Sequence, residues 1–405
     1  MWPTKPARRS CPCTSAGRTR SCRGGRSCRY PVRRECGLED RCHRIRKRAR
    51  ESSAPGWRKR CEPSPRKRHS RKSRAAGSSG GGRSSRASRS TPTSGLRIDP
   101  LTYSIVARDK ETGQFGVAVQ SHYFQVSPAV PWALAGVGAV ATQSQVNLSY
   151  GPLGLDLLQA GYTAEQAVTA LTAGDPLADV RQCAIVDASG SVAAHTGSKC
   201  IPAAGHHTGD GFSCQANLME KDTVWAAMAH AFTTTDAPLA ERMMAALAAA
   251  EAEGGDIRGK QSAAMVVVAA TATGRPWVDR LIDLRVEDAP EPLPELRRLL
   301  RIKRAYTTLS EADQLSDAGD KKAASAKAEE AIRIAPEMVE IRFWTGLEMA
   351  MNGDMDGGCE LMSGVVREKG GRWVETLRRL AKVDRVPPDV AEAIEARLVA
   401  LLPGK

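Results

Sequence analysis

The chain changes character at residue 102. Residues 1–96 are rich in Arg, Ser, Gly and Pro and poor in Leu, Ile and Val, whereas the sequence from Thr102 onward consists of short apolar runs separated by turn residues. A segment with so few apolar side chains buries too little apolar surface to offset the conformational entropy lost on ordering. We therefore expect a disordered basic segment over residues 1–96 and a folded structure that begins at Thr102.

Charge divides the chain at the same place. Residues 1–100 contain 29 Lys and Arg against six Asp and Glu, a net charge of +23, whereas the remaining 305 residues contain 30 against 39, a net charge of −9. The net charge of +14 for the whole chain therefore comes from its first hundred residues. Because proteins bind nucleic acids largely through basic side chains, we expect no nucleic-acid partner for the rest of the chain.

Three interpretations of residues 1–96 are open. Basic runs such as RIRKRAR and RKRHSRKSR favour a nucleic-acid-binding tail, although no aromatic residues are interleaved with them. The segment could also be a transit or localisation tail. A zinc site is not favoured, because the seven cysteines follow no zinc-ligand spacing. We favour an out-of-frame stretch translated from a start codon placed too early, because a GC-rich gene read in a wrong frame gives sequence rich in Arg, Ser and Pro with irregularly placed cysteines. Leu101 would then be an alternative start codon that the cell translates as Met, and removal of that Met would leave Thr102 as the first residue.

Cysteine usage and hydropathy restrict the compartment. After residue 100 the chain has four scattered cysteines, which is typical of core thiols in a reducing compartment rather than of a disulfide framework. No stretch of about 18 apolar residues is present, so we expect no membrane-spanning helix. Residues 1–40 lack the apolar stretch that a secretory signal requires behind its charged start. We therefore expect a cytoplasmic protein.

Residues 102–288 alternate between strand and helix signals. TYSIVA and FGVAVQS, joined by RDKETGQ, predict a β-hairpin, and GVGAVATQ predicts a third strand. GPLGLDLLQAG and AEQAVTALTAG predict two helices, the second with a capping box formed by Thr163 and Gln166. QCAIVDA and SVAAHTG predict a second hairpin, and DGFSCQ predicts an edge strand.

The rest of this region repeats the alternation. DTVWAAMAHAF and PLAERMMAALAAAEAEGG predict a second helix pair, with Asp236 as the cap of the latter, and SAAMVVVAA and LIDLRVE complete the sheet. This order of elements can layer as helices, sheet, sheet and helices. The fold class that we predict is therefore α+β.

Several long motifs occur in one order along this region: TYSIVARD, GVAVQS, VPWALAGVGAVATQS, YGPLGLDLLQAG, AAHTGSKCIPAAGHHTGDGFSCQANL and GGDIRGKQSAAMVV. On these motifs, residues 102–288 resemble the family known as domain of unknown function 1028, which is similar to N-terminal-nucleophile (Ntn) hydrolases. The resemblance implies a four-layer αββα sandwich, but no firmly assigned reaction. Ala203, Cys214 and Ala216 depart from the family pattern, in which a larger aromatic, an aliphatic residue and a glycine are usual. These departures indicate a reshaped pocket wall.

A threonine at the first position of a chain is a complete catalytic unit. Its hydroxyl is the nucleophile, and its α-amine, with a pKa of about 8, is the base at neutral pH. Residues in front of Thr102 would acylate that amine and abolish the base. The alternative is that Thr102 is only a β-branched strand residue. Other nucleophiles are less favoured, because no GxSxG motif is present, Cys183 lies in an apolar run and Cys214 has no evident histidine partner.

Acyl transfer also needs groups that stabilise an oxyanion and tune the amine. Ser121 and His122 end the second predicted strand, so we expect them to face Thr102. Gln143 and Asn147, at the end of the third predicted strand and in the loop after it, could donate amide hydrogen bonds, with loop capping as their alternative role. These five residues are the candidate catalytic residues.

Histidines cluster in the stretch that contains His195, His206, His207 and Asp210. The spacing matches neither a helical pair nor an HxH motif, so we expect no metal ion there. His195 and His206 are instead candidate substrate contacts, and their alternative role is that of ordinary hydrogen-bonded polar residues.

Buried amides form a further set of candidates. Gln215, Asn217, Gln261 and Ser262 lie in or beside predicted strands, where buried amides must find hydrogen-bond partners. They either line the pocket or only tie strands together. We take Gln215 and Asn217 as candidate substrate-binding residues.

Residues 295–405 are predicted to form an all-α domain after the acidic, Pro-rich linker EDAPEPLPEL. Ala324, Ala328 and Ala331 lie on one helix face, and AGD at Gly319 and NGD at Gly353 are 34 residues apart, the tetratricopeptide period. We expect a tetratricopeptide-like helical domain that either binds a protein or peptide or stabilises an oligomer.

The function that these features favour is hydrolysis of an amide or peptide-like bond in a small substrate by an Ntn-type enzyme without a cofactor. The alternative is a non-catalytic binding or scaffold protein that keeps the fold. In either case we expect a protein partner or self-association through the helical domain, with a homo-oligomer as the simplest form, and no membrane partner.

Overall fold

The computed structural model describes residues 101–399. The predicted disordered basic segment, residues 1–96, lies outside the described residues. The described chain is a mixed α/β structure with two antiparallel sheets, followed by a helical region.

Ten strands form the two sheets. They are β1 (Thr102–Arg108), β2 (Phe115–Ser121), β3 (Pro131–Leu134), β4 (Gly138–Ser144), β5 (Arg181–Asp187), β6 (Val192–Thr196), β7 (Gly205–Gly209), β8 (Phe212–Ala216), β9 (Ser262–Val268) and β10 (Arg280–Val286). The first sheet has the order β10-β9-β2-β1-β8-β7, and the second has the order β3-β4-β5-β6.

The predicted hairpin over β1 and β2 is confirmed. Thr102 pairs with Ser121, and the register continues to Arg108 opposite Phe115. The Asp109 carboxylate accepts the Thr112 backbone N–H at 2.7 Å, which closes the turn between the strands. The start of β1 and the end of β2 therefore lie side by side.

The prediction that β8 is an edge strand was wrong. β8 pairs with β1 on one side and with β7 on the other, so β7 is the edge strand. β7 was not predicted because GHHTG has no apolar alternation, and its side chains are exposed or only half-buried. Backbone pairing with β8, rather than a buried face, positions this strand.

Within the described residues, eleven α-helices follow or separate the strands: α1 (Tyr150–Gln159), α2 (Ala164–Ala173), α3 (Val224–Thr234), α4 (Leu239–Ala252), α5 (Pro276–Asp279), α6 (Pro292–Asp317), α7 (Lys321–Ile334), α8 (Val339–Met351), α9 (Met355–Lys369), α10 (Arg372–Ala381) and α11 (Pro388–Val399). The predicted capping box of Thr163 and Gln166 is present at α2. The predicted cap of α4 is not, because Pro238 occupies the N-cap position in place of Asp236.

Strand alternation sends side chains to different apolar clusters. Tyr103 and Ile105 of β1 pack with α3 and α4, whereas Val106 packs into a cluster shared with the second sheet. Val140 of β4 packs with α1 and α2. These three clusters contain only residues from 103 to 300, so a chain that begins at Thr102 retains all of their side chains.

The predicted linker, residues 287–296, is non-helical only in its first half, and its second half is the beginning of a helix. α6 starts at Pro292, and prolines are tolerated in the first helical turn because the N–H groups there have no intrahelical partner. Leu293, Leu296 and Leu300 are spaced three and four apart and bury one face of α6 against the cluster of α3 and α4. Helix α6 therefore covers part of the α/β region.

The helical region repeats one type of connection. Gly319 and Gly353, with φ values of 87° and 103°, follow α6 and α8. Each precedes an aspartate that caps the next helix: Asp320 accepts the Ala323 N–H at 3.1 Å, and Asp354 accepts the Gly357 N–H at 3.0 Å. The predicted alanine face of α7 is buried, as expected. Within residues 101–399, no helix has the length and apolarity needed to cross a membrane.

Candidate functional site

Thr102 is fully buried at the start of β1. Its hydroxyl donates to the Ser121 hydroxyl oxygen at 3.0 Å, and the Ser121 hydroxyl donates to the Leu101 carbonyl oxygen at 2.8 Å. The β1–β2 register places Ser121 there, because it is the direct cross-strand partner of Thr102. The structure thus brings together two of the candidate catalytic residues.

The carbonyl oxygen of Thr102 accepts hydrogen bonds from a different set of residues. Gln143 Nε2 donates to it at 3.0 Å, the Asn217 backbone N–H at 3.1 Å and Asn217 Nδ2 at 3.4 Å. Gln143 is the last residue but one of β4 in the second sheet, and Asn217 follows β8 in the first. Groups from both sheets therefore fix the position of Thr102.

A network of buried amides surrounds these contacts. Gln182 Oε1 accepts from Gln143 Nε2 at 2.7 Å and from Asn217 Nδ2 at 2.9 Å. Gln143 Oε1 accepts from the Ser104 hydroxyl at 2.6 Å, which also accepts from Gln215 Nε2 at 3.2 Å. All five side chains are completely buried. Burying an amide without a hydrogen-bond partner costs free energy, so these side chains depend on one another for their hydrogen bonds.

Gln182 was missed in the sequence. It lies on β5 directly opposite Gln143 on β4, at an inward position of an otherwise apolar run. A polar residue at the inward position of a buried strand is the signal that could have identified it.

Two features of the network and of the backbone around it are uncommon in a purely structural core. Asn217 Oδ1 and Gln215 Oε1 have no hydrogen-bond partner among the described residues. Ser144, Ala203 and Leu218 adopt left-handed φ values of 65°, 56° and 56°. Such backbone strain costs about 1 kcal/mol or more per residue and tends to occur at functional sites.

An ion pair also contacts Leu101. The Asp256 side chain is fully buried and accepts from Arg258 Nε at 3.0 Å and Nη2 at 2.6 Å. Arg258 Nη2 also donates to the Leu101 carbonyl oxygen at 2.8 Å. Both residues belong to GGDIRGKQSAAMVV, yet neither was singled out from the sequence, because their partner is far away in the chain.

Two candidate catalytic residues lie apart from these contacts. The His122 side chain is exposed, and its backbone N–H is 3.4 Å from Asp256 Oδ2. Asn147 Nδ2 donates to Asp175 Oδ2 at 3.2 Å, so its side chain belongs to a separate cluster with Tyr150. No hydrogen bond joins either side chain to Thr102 within the described part of the chain.

Asp175 is the centre of that second cluster. Burial raises the pKa of its carboxyl, but hydrogen bonds from Arg181, the Leu177 N–H, Asn147 and Tyr150 outweigh burial and lower the pKa to about 2. Asp175 is therefore ionised at neutral pH and anchors the loop between β4 and α1.

An open cleft of about 620 Å³ lies near the network, lined in part by Thr196, Cys200, Ala203, His206 and Trp225. The Thr196 hydroxyl is 2.8 Å from His206 Nδ1 and accepts from Gln182 Nε2 at 2.9 Å. Gln182 thus connects the cleft with the carbonyl oxygen of Thr102 through Gln143. His206 lies in the lining of this cleft, and its role as a substrate contact stays a prediction.

The other histidines do not assemble into a ligand set. His195 Nε2 bonds the Ala178 carbonyl oxygen at 2.9 Å, His207 stacks on Phe212, and Asp210 pairs with Lys110. Across residues 101–399, no three His, Cys, Asp or Glu side chains are grouped as a metal ion would require.

Cys183 and Cys214 are completely buried thiols. Burial raises the pKa of Cys183 to about 12, with a smaller contribution from Cys200, and it raises the pKa of Cys214 further. Neither forms a thiolate at neutral pH, so neither competes with Thr102 as a nucleophile.

Comparison with known proteins identifies the region that carries the site. A family of unknown function (DUF1028) matches residues 102–296. The crystal structure of protein SPO2555 from Silicibacter pomeroyi, described with the same family, is 32% identical over 50% of this chain and 85% of that chain, with a TM-score of 0.46. No protein of curated function matches. The family match begins at Thr102 and contains all ten strands, and the chain belongs to the DUF1028 family of unknown function.

Proposed function

We propose that residues 102–288 form a four-layer αββα sandwich of the Ntn-hydrolase type and that the chain hydrolyses an amide or peptide-like bond. The three apolar clusters support this architecture: α3 and α4 lie on the outer face of the first sheet, α1 and α2 lie on the outer face of the second, and the third cluster fills the space between the sheets. Thr102 begins β1, a middle strand of the first sheet.

The observation that carries the proposed activity is the hydroxyl of Thr102. It is buried, it lies 3.0 Å from a second hydroxyl, and its residue is held by amide donors from both sheets. A nucleophile fixed in this way needs only an adjacent base and an oxyanion site. Within the Ntn scheme, the base is the α-amine of the same residue.

The reaction requires that Thr102 is the first residue. Its free amine takes the hydroxyl proton while the hydroxyl oxygen bonds to the carbonyl carbon of the substrate amide. The C–N bond then breaks, and the amine returns the proton to the leaving nitrogen. Water cleaves the resulting ester by the same route, which releases a carboxylic acid and restores the Thr102 hydroxyl.

The cleft lined by His206 and Ala203 is the proposed entrance for a small substrate. Gly205 pairs with Ala216, which in turn pairs with Tyr103, so the cleft is about two strand spacings, roughly 10 Å, from β1. Asn217 Oδ1 is an unpaired acceptor beside Thr102 and is available to orient its amine. The scheme uses no cofactor.

A non-catalytic binding or scaffold role is the second candidate. It is favoured by one observation: with Leu101 in front of it, Thr102 has an acylated nitrogen and a completely buried side chain. In that state the residue has neither a base nor access to substrate.

One comparison tests both candidates. A chain that begins at Thr102, the same chain with Thr102→Ala, and a chain that begins at Leu101 are incubated with an amide library, and cleavage is followed by mass spectrometry. We expect turnover with the first chain alone. If all three chains give the same cleavage and melting curves show that each is folded, the result would favour the binding role and refute the hydrolase.

The helical region is proposed to be tetratricopeptide-like and to mediate self-association or recruit a protein partner. The repeated helix, glycine, aspartate and helix connection supports the repeat, as does a groove of about 690 Å³ between its helices. The groove includes Thr345, whose buried hydroxyl has no partner among the described residues. Sedimentation velocity of the full chain, compared with a chain that ends at residue 318, tests the homo-oligomer, which we expect only for the full chain.

A further inference from the structure

Arg258 holds the carbonyl oxygen of the residue in front of Thr102. One edge of its guanidinium, formed by Nε and Nη2, donates to the buried Asp256 carboxylate. Nη2 also donates to the Leu101 carbonyl oxygen at 2.8 Å. Because the guanidinium is a planar fork of five N–H donors, its pairing with Asp256 fixes the direction of the remaining donors.

Ser121 is the second donor to the same oxygen. Its hydroxyl donates to the Leu101 carbonyl oxygen at 2.8 Å and accepts from the Thr102 hydroxyl at 3.0 Å. A single buried hydroxyl thus connects the candidate nucleophile to a carbonyl oxygen held by a cation. The arrangement is a pair of donors around one oxygen, next to a hydroxyl nucleophile.

In a chain that begins at Thr102, the Leu101 carbonyl is absent and both donors lose this acceptor. Ser121 is completely buried, and a buried hydroxyl that loses its acceptor is costly, so the position favours a ligand oxygen. Since Asp256 already balances the charge of Arg258, an oxygen that is neutral in the substrate and gains charge during reaction fits better than a permanent anion.

We propose that Arg258 and Ser121 bind the acyl oxygen of the substrate amide and stabilise the negative charge that this oxygen gains when Thr102 attacks. The inference rests on the amide hydrolysis proposed above. Arg258 is then a catalytic residue that the sequence did not reveal, and Asp256 is a positioning residue that holds its guanidinium. Substrates are amides whose carbonyl oxygen can reach this pair of donors.

Acylation by a β-lactone carrying a short acyl chain tests the inference without knowledge of the substrate. The Thr102 oxygen bonds to the lactone carbonyl carbon, the ring C–O bond breaks, and the hydroxyl proton passes through the amine to the ring oxygen. The product is an ester on Thr102 with a free alcohol. Its rate is measured by intact mass on the chain that begins at Thr102, and peptide mapping locates the adduct.

We expect Arg258→Lys to lower the acylation rate constant by about 10²-fold, as loss of one oxyanion donor does in acyl-transfer enzymes. Ser121→Ala should lower it by about 10-fold or more. The pH midpoint of the rate should stay unchanged in both, since the amine sets it. Asp256→Asn should lower the plateau rate in the same way, and because it leaves the charge of Arg258 unbalanced beside the amine, it should also move the midpoint to lower pH.

Arg242→Lys is the matched control. Arg242 also pairs with an aspartate, Asp109, at 3.3 Å, and its side chain is 25% exposed against 26% for Arg258. Its replacement should leave the rate unchanged. If Arg258→Lys fails to fold, as shown by its melting curve, Ser121→Ala and Asp256→Asn decide.

The outcomes separate the two proposals. Acylation that requires Thr102 but is unaffected by the Arg258, Ser121 and Asp256 variants would overturn this inference and leave the hydrolase standing. If Thr102 is not acylated in the chain that begins at Thr102 and carries no substitution, both proposals would be overturned.

Discussion

The side chains around Thr102 depend on one another. Gln182 accepts from two amides and donates toward Thr196, and none of the three amides has room to bind bulk water. Such a network is stable only when its members are all present, because each lost partner leaves a buried polar group unpaired.

Replacement of Gln182 by Leu should therefore destabilise the fold more than its change in volume suggests. Gln143 and Asn217 each lose an acceptor, and we expect the free energy of unfolding to fall by about 3 kcal/mol. Urea unfolding measures this change. Gln314→Leu, at an exposed position of α6, is the control and should change it by less than about 0.5 kcal/mol. A similar small change for Gln182→Leu would contradict the network.

The lowered pKa of Asp175 predicts that the stability of the fold decreases at acidic pH. Although burial raises its pKa, hydrogen bonds led by that of Arg181 lower it from 3.8 to about 2 in the folded chain. A lowered pKa means that the stabilisation is complete above the unfolded value and is lost as the pH falls from about 4 toward 2. Melting temperatures between pH 6 and 2.5 should show this loss. Asp175→Asn should be less stable at pH 6 and have a flatter profile, and an equally steep profile would exclude Asp175 as its cause.

At the scale of helices and strands, two glycines distinguish the effect of close packing from the effect of helix propensity. A Cβ at Gly151 in α1 would lie 2.3 Å from the Trp132 ring of β3, whereas a Cβ at Gly364 in α9 would make only an ordinary contact of 3.6 Å with Arg342 Nη1. The first glycine is required by the contact between a helix and a strand. The second only weakens its helix.

Alanine should therefore have opposite effects at the two positions. We expect Gly151→Ala to lower the free energy of unfolding by about 2 kcal/mol through overpacking, and Gly364→Ala to raise it by about 0.5–1 kcal/mol through helix propensity. Denaturant unfolding of both variants checks the pair. Stabilisation by Gly151→Ala would show that Trp132 moves aside.

For the molecule as a whole, α6 couples the α/β region to the helical region. Leu293, Leu296 and Leu300 cover apolar side chains of α4 and β10. A chain over residues 102–291 should therefore expose this surface, bind a hydrophobic dye and aggregate, whereas a chain over residues 102–318 should remain monodisperse. Dye binding and light scattering measure the difference. Equal behaviour of the two chains would mean that α6 is dispensable for the sheet.

Local patterns were sufficient for the elements that use only neighbouring residues. The β1–β2 hairpin, the capping box at Thr163 and the buried alanine face of α7 each depend on residues a few positions apart, or on a tight turn, and all three are present. The family motifs likewise identified the region that begins at Thr102. These features were determined by the sequence because their interactions are local.

Only the tertiary structure decided the site. Ser121 and Gln143 were expected near Thr102, but Gln182 reaches the network through strand register, and Arg258 contacts Leu101 across 157 residues. Asn147 and His122, closer in sequence, make other contacts. The edge strand β7 likewise depends on pairing with β8 rather than on its own composition. A side chain's partner across two sheets follows from the register and packing of distant elements, and no local pattern contains that information.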